Sequence, residues 1–188
     1  PRYNVVFFGG EPLSNMPLIR EVVAWAGPRF AAHGAQVDFS LTTNATLLTD
    51  ELIDWFDAHR FGLTVSMDGP RTLHDRNRKT VGGQGSYDVV RRKVDALLAR
   101  YRSRPVGCRV TLTAGVTDVE TIFDHLHGEV GFGEVGFGPV TSGDISTFNL
   151  SGEEMVTVFD GLKALGRRYA DAALAGRGLG FGNMHQLM

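Results

Sequence analysis

The sequence predicts an α/β fold built on a parallel β-sheet. Short apolar runs alternate five times with amphipathic segments along the 188 residues. The first run, Asn4–Phe8 (NVVFF), is rich in apolar and β-branched residues, which is typical of a strand buried on both faces. The segments between the runs are long enough for crossover helices. Right-handed crossovers on one side would close such a sheet into a barrel or part of one.

The apolar periodicity places each element along the chain. Gly27-Pro28 is expected to kink or interrupt the first helix, because proline removes a backbone donor. The predicted strands are Asn4–Phe8, Val37–Thr43, Leu63–Met67, Cys108–Thr113 and Glu134–Val140. The predicted helices are Leu18–His33, the segment from Thr49 to Arg60, Tyr87–Arg102, Ile122–His127 and a long helix from Ser151 through Tyr169.

Three helix starts carry capping signals. Thr49 is predicted as an N-cap, with two acidic residues following in the first turn. Thr117-x-x-Glu120 and Ser151-x-x-Glu154 both match a capping box. These signals fix where the helices begin more firmly than where they end.

A long polar loop separates the third strand from Ser86. It holds about 17 residues without predicted structure, a length more typical of a binding loop than of a simple connection. The alternative is a solvated surface loop. Its charged and polar residues include Arg71, His74, Asp75, Arg76, Asn77, Arg78 and Lys79.

The composition excludes several classes of function. With a net charge of −2, nothing favours nucleic acid or an anionic membrane as a partner. No apolar run approaches the roughly 20 residues that span a bilayer, so we expect a soluble, cytoplasmic protein. Cys108 is the single cysteine, which leaves no internal disulfide and no cysteine-rich metal site within these residues.

Polar and glycine-rich segments follow the predicted strands at their carboxyl ends, where parallel α/β sheets bind ligands. Gly9-Gly10-Glu11-Pro12 offers mainly hydrogen-bond acceptors, which suit a cationic group; the alternative is a tight turn with Glu11 facing solvent. A loop arginine beside Ser66 is a natural carboxylate site. The other strand ends are Thr43-Asn44, Ser66-Met67-Asp68-Gly69-Pro70, Thr113-Ala114-Gly115 and Gly138-Pro139-Val140.

Segments at the first three strand ends and in the loop after the third strand resemble, in order, motifs of radical S-adenosylmethionine (SAM) enzymes. The first is similar to the GGEP motif of that family. The second is similar to the TNGTLL segment of members that carry a SPASM domain, with Ala45 in place of glycine. The rest resembles the VSLDGP…HDxxR…GxGSYD run of anaerobic sulfatase maturases and peptide maturases, including those of quinohemoprotein amine dehydrogenase. The matching segments are Phe7–Leu13, Thr43–Leu48, Val65–Pro70, His74–Arg78 and Gly83–Asp88.

The resemblance implies a partial (β/α)6 TIM-like barrel of the radical SAM type. Its first strand and cluster loop would precede Pro1. Residues 1–174 would form strands 2–6 of the core, and residues 175–188 would begin the connection to a C-terminal domain. No CxxxCxxC is present, so the resemblance implies 4Fe–4S ligands outside these 188 residues, and this stretch alone should be inactive.

The resemblance also implies a set of cofactor-binding residues. Gly10 with Glu11 would take the amino group of SAM, and Ser66 with Arg78 would take its carboxylate. Backbone near Val140 would meet the adenine, and Asn44 belongs to the same set.

The implied activity is the installation of a post-translational modification in a peptide or protein, such as a thioether crosslink or an oxidised side chain. It would proceed through a 5′-deoxyadenosyl radical, with flavodoxin or ferredoxin as electron donor. An alternative is a degenerate barrel without a cluster that binds peptides and does no catalysis. A TIM-like hydrolase or aldolase is a third interpretation, but no strand-end lysine, metal-ligand set or nucleophile supports it.

Overall fold

A computed structural model of the chain describes residues 1–140 and 146–185. Its five strands form one parallel sheet in the order β1-β2-β3-β4-β5, which confirms the predicted α/β class. The strands are β1 (Arg2–Phe7), β2 (Gln36–Thr43), β3 (Gly62–Ser66), β4 (Gly107–Leu112) and β5 (Glu134–Pro139). The helices are α1 (Met16–Ala32), α2 (Asp50–Ala58), α3 (Arg71–Asn77), α4 (Tyr87–Arg100), α5 (Val119–Phe123), α6 (Gly152–Leu174) and α7 (Gly182–His185).

The chain divides into two compact units. The N-terminal unit comprises Pro1–Val65 and Val89–Val106, and the C-terminal unit comprises Ser66–Asp88 and the residues from Gly107 onward. Within the described residues, no helix has the length and apolar character needed to cross a membrane.

The core of the N-terminal unit is aromatic. Phe7, Phe39 and Phe61 stack with ring centroids 5.7–6.3 Å apart. Along β2, Phe39 and Leu41 are buried on the same side while their neighbours in sequence are only half-buried. Each fully buried side chain of this size contributes about 1.5–3 kcal/mol through the hydrophobic effect. One face of β2 is thereby fixed towards the core.

In the C-terminal unit, β4 packs beside β5, and α5 packs against α6. The parallel register pairs Val110 with Phe137, and both side chains are buried. Phe181 in the tail is also buried and forms an isolated parallel bridge with Val135. The side-chain amide of Asn183 pairs with both backbone groups of Phe137, at 2.8 and 2.9 Å. The described part of the tail therefore lies against β5, while Gln186–Met188 lie outside the described residues.

Three predicted features differ from the structure. The loop before Ser86 contains α3 and a bridge between Lys79 and Gly85, so it is not a run without structure. The predicted capping box at Thr117 is wrong, because the side chain of Asp118 accepts the N–H of Thr121 instead, at 3.1 Å. Helix α1 continues through Pro28, so the predicted interruption is wrong, whereas the alternative of a kink stays a prediction.

The capping box at Ser151 is confirmed. The Ser151 hydroxyl accepts the N–H of Glu154 at 3.2 Å, and the Glu154 carboxylate accepts the N–H of Ser151 at 2.8 Å. The same carboxylate accepts the N–H of Gly115 at 2.7 Å, which ties the start of α6 to the loop after β4.

Replacing Ser151 by alanine is expected to lower the free energy of unfolding by about 1 kcal/mol, because one backbone donor of α6 loses its acceptor. Urea denaturation followed by circular dichroism measures this loss. Thr157→Ala, which removes an exposed hydroxyl inside the same helix, is the matched control and should change stability less. An equal loss in both variants would contradict the capping assignment.

Candidate functional site

The Gly-Gly-Glu-Pro segment leaves β1 as an open backbone turn. Gly9 has a φ of +152°, a conformation that residues with a Cβ rarely adopt. A Cβ placed on Gly10 would meet no atom within 4 Å. A groove of about 470 Å³ runs along this turn and is lined by Phe8, Gly10 and Leu18 among others. The turn therefore leaves room for a ligand directly against the backbone.

The Glu11 carboxylate faces the protein rather than solvent. It accepts the N–H of Leu13 at 3.0 Å, the hydroxyl of Thr43 at 2.8 Å and the N–H of Asn44 at 2.7 Å. The interpretation of Glu11 as a solvent-facing turn residue is therefore wrong. Its chief visible role is to hold the turn after β1 against the end of β2. Among the described residues, no hydrogen bond uses the carbonyl oxygens of Gly9 or Gly10, so these acceptors stay available.

Asn44 shapes the end of β2. Its side-chain oxygen accepts the N–H of Thr46 at 3.0 Å and the Thr46 hydroxyl at 2.6 Å. The next residue, Ala45, is fully buried with a φ of +62°. This left-handed conformation costs an alanine more than a glycine. It accounts for the glycine that the similar TNGTLL segment has at this position.

In the C-terminal unit, Asp68 and Arg78 form an ion pair. Arg78 donates from Nε to Asp68 Oδ2 at 2.6 Å and from Nη2 to Oδ1 at 3.0 Å. Asp68 is buried and also accepts the N–H of Thr111 at 2.9 Å. The segment after β3 thus folds back over the end of its own strand. Within the part of the chain that the structure describes, nothing pairs with the Nη1 group of Arg78.

His74 lies fully buried next to this pair. The N–H of Asp68 donates to its Nδ1 at 3.3 Å, and its Nε2 contacts the Ser86 hydroxyl at 3.0 Å. Burial lowers the pKa of His74 from 6.5 to about 4, so the ring is neutral near pH 7. A neutral imidazole can accept at one nitrogen and donate at the other, and this environment uses both.

Known proteins resemble this chain in sequence and in fold. No family model matches the chain. It is 34% identical over 97 residues to the serine-type anaerobic sulfatase-maturating enzyme of Bacteroides thetaiotaomicron, covering 52% of this chain and 23% of that protein. The serine-type enzyme of Klebsiella aerogenes is 32% identical over 95 residues, covering 50% of this chain and 23% of that one. Over about half of its length, the chain is therefore similar to anaerobic sulfatase-maturating enzymes.

Solved structures establish the same fold. Native anSMEcpe with bound AdoMet and the Cp18Cys peptide matches with a TM-score of 0.78 at 20% identity, covering 96% of this chain and 50% of that one. A radical SAM methyltransferase from Sphaerobacter thermophilus matches with a TM-score of 0.50 at 21% identity, covering 86% of this chain and 48% of that one. The matches thus span about a quarter of those two relatives and half of these solved chains.

The radical SAM resemblance also assigns Ser66 and Val140 to SAM, and each makes few hydrogen bonds among the described residues. Among the described residues the Ser66 hydroxyl, half-buried at the end of β3, has no hydrogen-bond partner. The N–H of Val140 donates to the carbonyl of Leu112 at 2.9 Å and extends the pairing of β4 and β5 by one residue. Contact of either residue with SAM stays a prediction, as it does for Gly10, Glu11, Asn44 and Arg78.

The described residues do not supply the ligands of an iron–sulfur cluster. No group of three His, Cys, Asp or Glu side chains in residues 1–140 and 146–185 could hold a metal ion. Cys108 is buried, its thiol contacts the carbonyl of Met67 at 3.4 Å, and burial raises the pKa of that thiol. A single inert thiol cannot replace the several thiolates that a 4Fe–4S cluster needs.

Sequence reasoning assigned no role to four residues that shape the site. Thr43 and Thr111 act through a hydroxyl or a backbone group at a strand end, which gives no sequence signal beyond their position. His74 and Ser86 lie 12 residues apart within the matched motifs, and their contact depends on how the intervening chain returns. The motif order identified these positions but not their roles.

Proposed function

We propose that this chain provides the SAM-binding part of a radical SAM maturase that modifies a peptide or protein. The observation that carries the proposal is the Asp68–Arg78 pair, which orders a guanidinium after β3 and leaves its Nη1 group available. The sequence relatives are named as sulfatase-maturating enzymes, and solved chains of the same fold contain AdoMet and a peptide. Both facts support the same assignment.

The proposed roles follow from the chemistry of each group. The carbonyl oxygens of Gly9 and Gly10 can accept from an ammonium, and the groove beside them has room for it. Arg78 and the Ser66 hydroxyl can donate to a carboxylate, and backbone near Val140 can contact the adenine. Glu11 and Asn44 hold the backbone around Gly9 and Gly10 and the end of β2 in shape, through hydrogen bonds to Thr43 and Thr46.

SAM bound to a reduced 4Fe–4S cluster supplies the carbon-centred radical that begins the modification. In the proposal, cluster ligands come from outside these 188 residues, with flavodoxin or ferredoxin as electron donor in the cytoplasm. The proposed product is a modified peptide or protein that carries, for example, a thioether crosslink or an oxidised side chain.

Replacing Arg78 by alanine in the full-length protein is expected to weaken SAM binding by roughly 1.5–3 kcal/mol, because a charge-assisted hydrogen bond is lost. Isothermal titration calorimetry under anaerobic conditions measures the dissociation constant. Arg76→Ala is the matched control, since Arg76 lies over Gly115 near Glu154 and has no assigned role towards SAM. Unchanged SAM affinity in Arg78→Ala, or an equal loss in Arg76→Ala, would contradict the assignment.

A further inference from the structure

Four residues of the C-terminal unit close a ring of hydrogen bonds. The N–H of Asp68 donates to Nδ1 of His74, and Nε2 of His74 contacts the Ser86 hydroxyl. The Ser86 hydroxyl donates to the carbonyl of Arg78 at 3.1 Å. The guanidinium of Arg78 then returns to the carboxylate of Asp68. Each member of the ring is thus held from two sides.

The ring fixes one tautomer of His74. Nδ1 receives the N–H of Asp68, so it carries no proton, and the ring proton lies on Nε2. Nε2 therefore donates to Ser86, which leaves the serine hydroxyl free to donate onward to the Arg78 carbonyl. Reversing the tautomer would leave two donors facing each other at Asp68.

His74 is placed to hold the backbone of Arg78. The N–H of Arg78 donates to the carbonyl of His74 at 3.0 Å, and the N–H and hydroxyl of Ser86 both bind the Arg78 carbonyl at 3.1 Å. The side chain of Arg78 is only a quarter exposed, so its position depends on these backbone contacts as well as on Asp68. Losing the imidazole removes the link between Ser86 and the strand end.

We propose that His74 is a positioning residue for the SAM carboxylate, acting through Arg78 and not by touching SAM. The inference rests on the proposed function, because it needs Arg78 to bind that carboxylate. In this role the neutral imidazole of His74, held as the Nε2–H tautomer, keeps the guanidinium of Arg78 where its Nη1 group can donate to the SAM carboxylate.

The test compares SAM with decarboxylated SAM, which lacks the group that Arg78 would bind. Dissociation constants for both are measured in the full-length protein and in His74→Leu, Arg78→Ala and the double variant. We expect His74→Leu to weaken SAM binding about tenfold, the worth of roughly one hydrogen bond, and to leave decarboxylated SAM within about twofold. In the Arg78→Ala background, His74→Leu should have no further effect on SAM.

Conservative variants separate positioning from folding. His74→Gln places an amide nitrogen near the position of Nε2 and should recover part of the SAM affinity, whereas His74→Leu cannot donate to Ser86. If His74→Leu does not fold, Ser86→Ala interrupts the same ring with a smaller change and should show the same preference. His127→Leu, at a histidine bound to the carbonyl of Phe132, is the matched control and should not distinguish the two ligands.

The outcomes separate the two proposals. An equal loss of both ligands in His74→Leu and Ser86→Ala would overturn the positioning role. A selective loss in Arg78→Ala without one in His74→Leu would also overturn it and would leave the proposed function standing. If Arg78→Ala itself keeps the full preference for SAM over its decarboxylated form, the carboxylate assignment fails, and the positioning role fails with it.

Discussion

Replacing Asp68 by alanine is expected to lower the free energy of unfolding by about 3–5 kcal/mol, the loss typical when one partner of a buried ion pair is removed. Asp68 is 3% exposed, and its loss leaves the half-buried guanidinium of Arg78 without a carboxylate. It also removes the acceptor of the Thr111 N–H. Urea denaturation followed by intrinsic fluorescence measures the change.

Asp88→Ala is the matched control for this experiment. Asp88 pairs with Arg71, but both side chains are more than half exposed, so solvent already screens the pair and its loss should matter little. Asp68→Asn should fall between the two, since its amide oxygen can still accept from Thr111. Similar stabilities of the Asp68→Ala and Asp88→Ala variants would show that the Asp68–Arg78 pair does not hold this segment.

Lowering the pH from 7 to about 4 is expected to reduce the free energy of unfolding by about 3 kcal/mol through His74 alone. Burial lowers the pKa of His74 from 6.5 to about 4 in the folded protein. In the unfolded chain, His74 therefore binds a proton near pH 6.5, whereas in the folded chain it binds that proton only at about pH 4. The stability is present above the unfolded pKa and is lost as the pH falls through this window.

His74→Gln should remove most of this pH dependence, because glutamine does not titrate. Unfolding curves in urea at several pH values between 7 and 4.5, for both proteins, give the two slopes. His59→Gln, at an exposed histidine that caps α2, is the matched control. Arg2 and Arg104 lower the pKa of Asp38 to about 2, so that carboxyl titrates below the window. Equal slopes in wild type and His74→Gln would contradict the prediction.

The sheet could be predicted from the sequence, although no residue of β1 is buried and the prediction of burial on both faces is wrong for that strand. Short runs of apolar and β-branched residues leave a simple signal, and β1 to β5 lie within one residue of the predicted strands at most ends. Helix α3 was missed for the opposite reason. It has seven residues, and its one buried side chain is His74, so it presents no apolar stripe to recognise. Its docking depends on contacts such as Asn77 to Thr113, at 2.7 Å, which only the folded chain creates.

The candidate site, too, could be predicted only in part from the sequence. The rule that parallel sheets bind ligands at the carboxyl ends of their strands predicted the segments of Gly10, Asn44 and Ser66 as binding segments without any structure, and their contact with a ligand stays a prediction. The partners of Glu11 could not be read in this way. Thr43 lies 32 residues away from Glu11 and meets it only because β1 and β2 are adjacent in register. The sequence pattern identifies the carboxyl ends of the strands, whereas the contacts between residues of neighbouring strands come from tertiary folding.

The amide of Asn183 has a consequence for self-association. An outer strand with free backbone groups invites another chain to add its own strand, which is the usual start of edge-to-edge aggregation. At Phe137 both backbone groups of β5 are occupied by one side chain, and the bridge at Phe181 occupies the strand two residues earlier. A recruited strand would have to displace both contacts before it could pair, so this short tail segment protects the border of β5 against fibrillar growth.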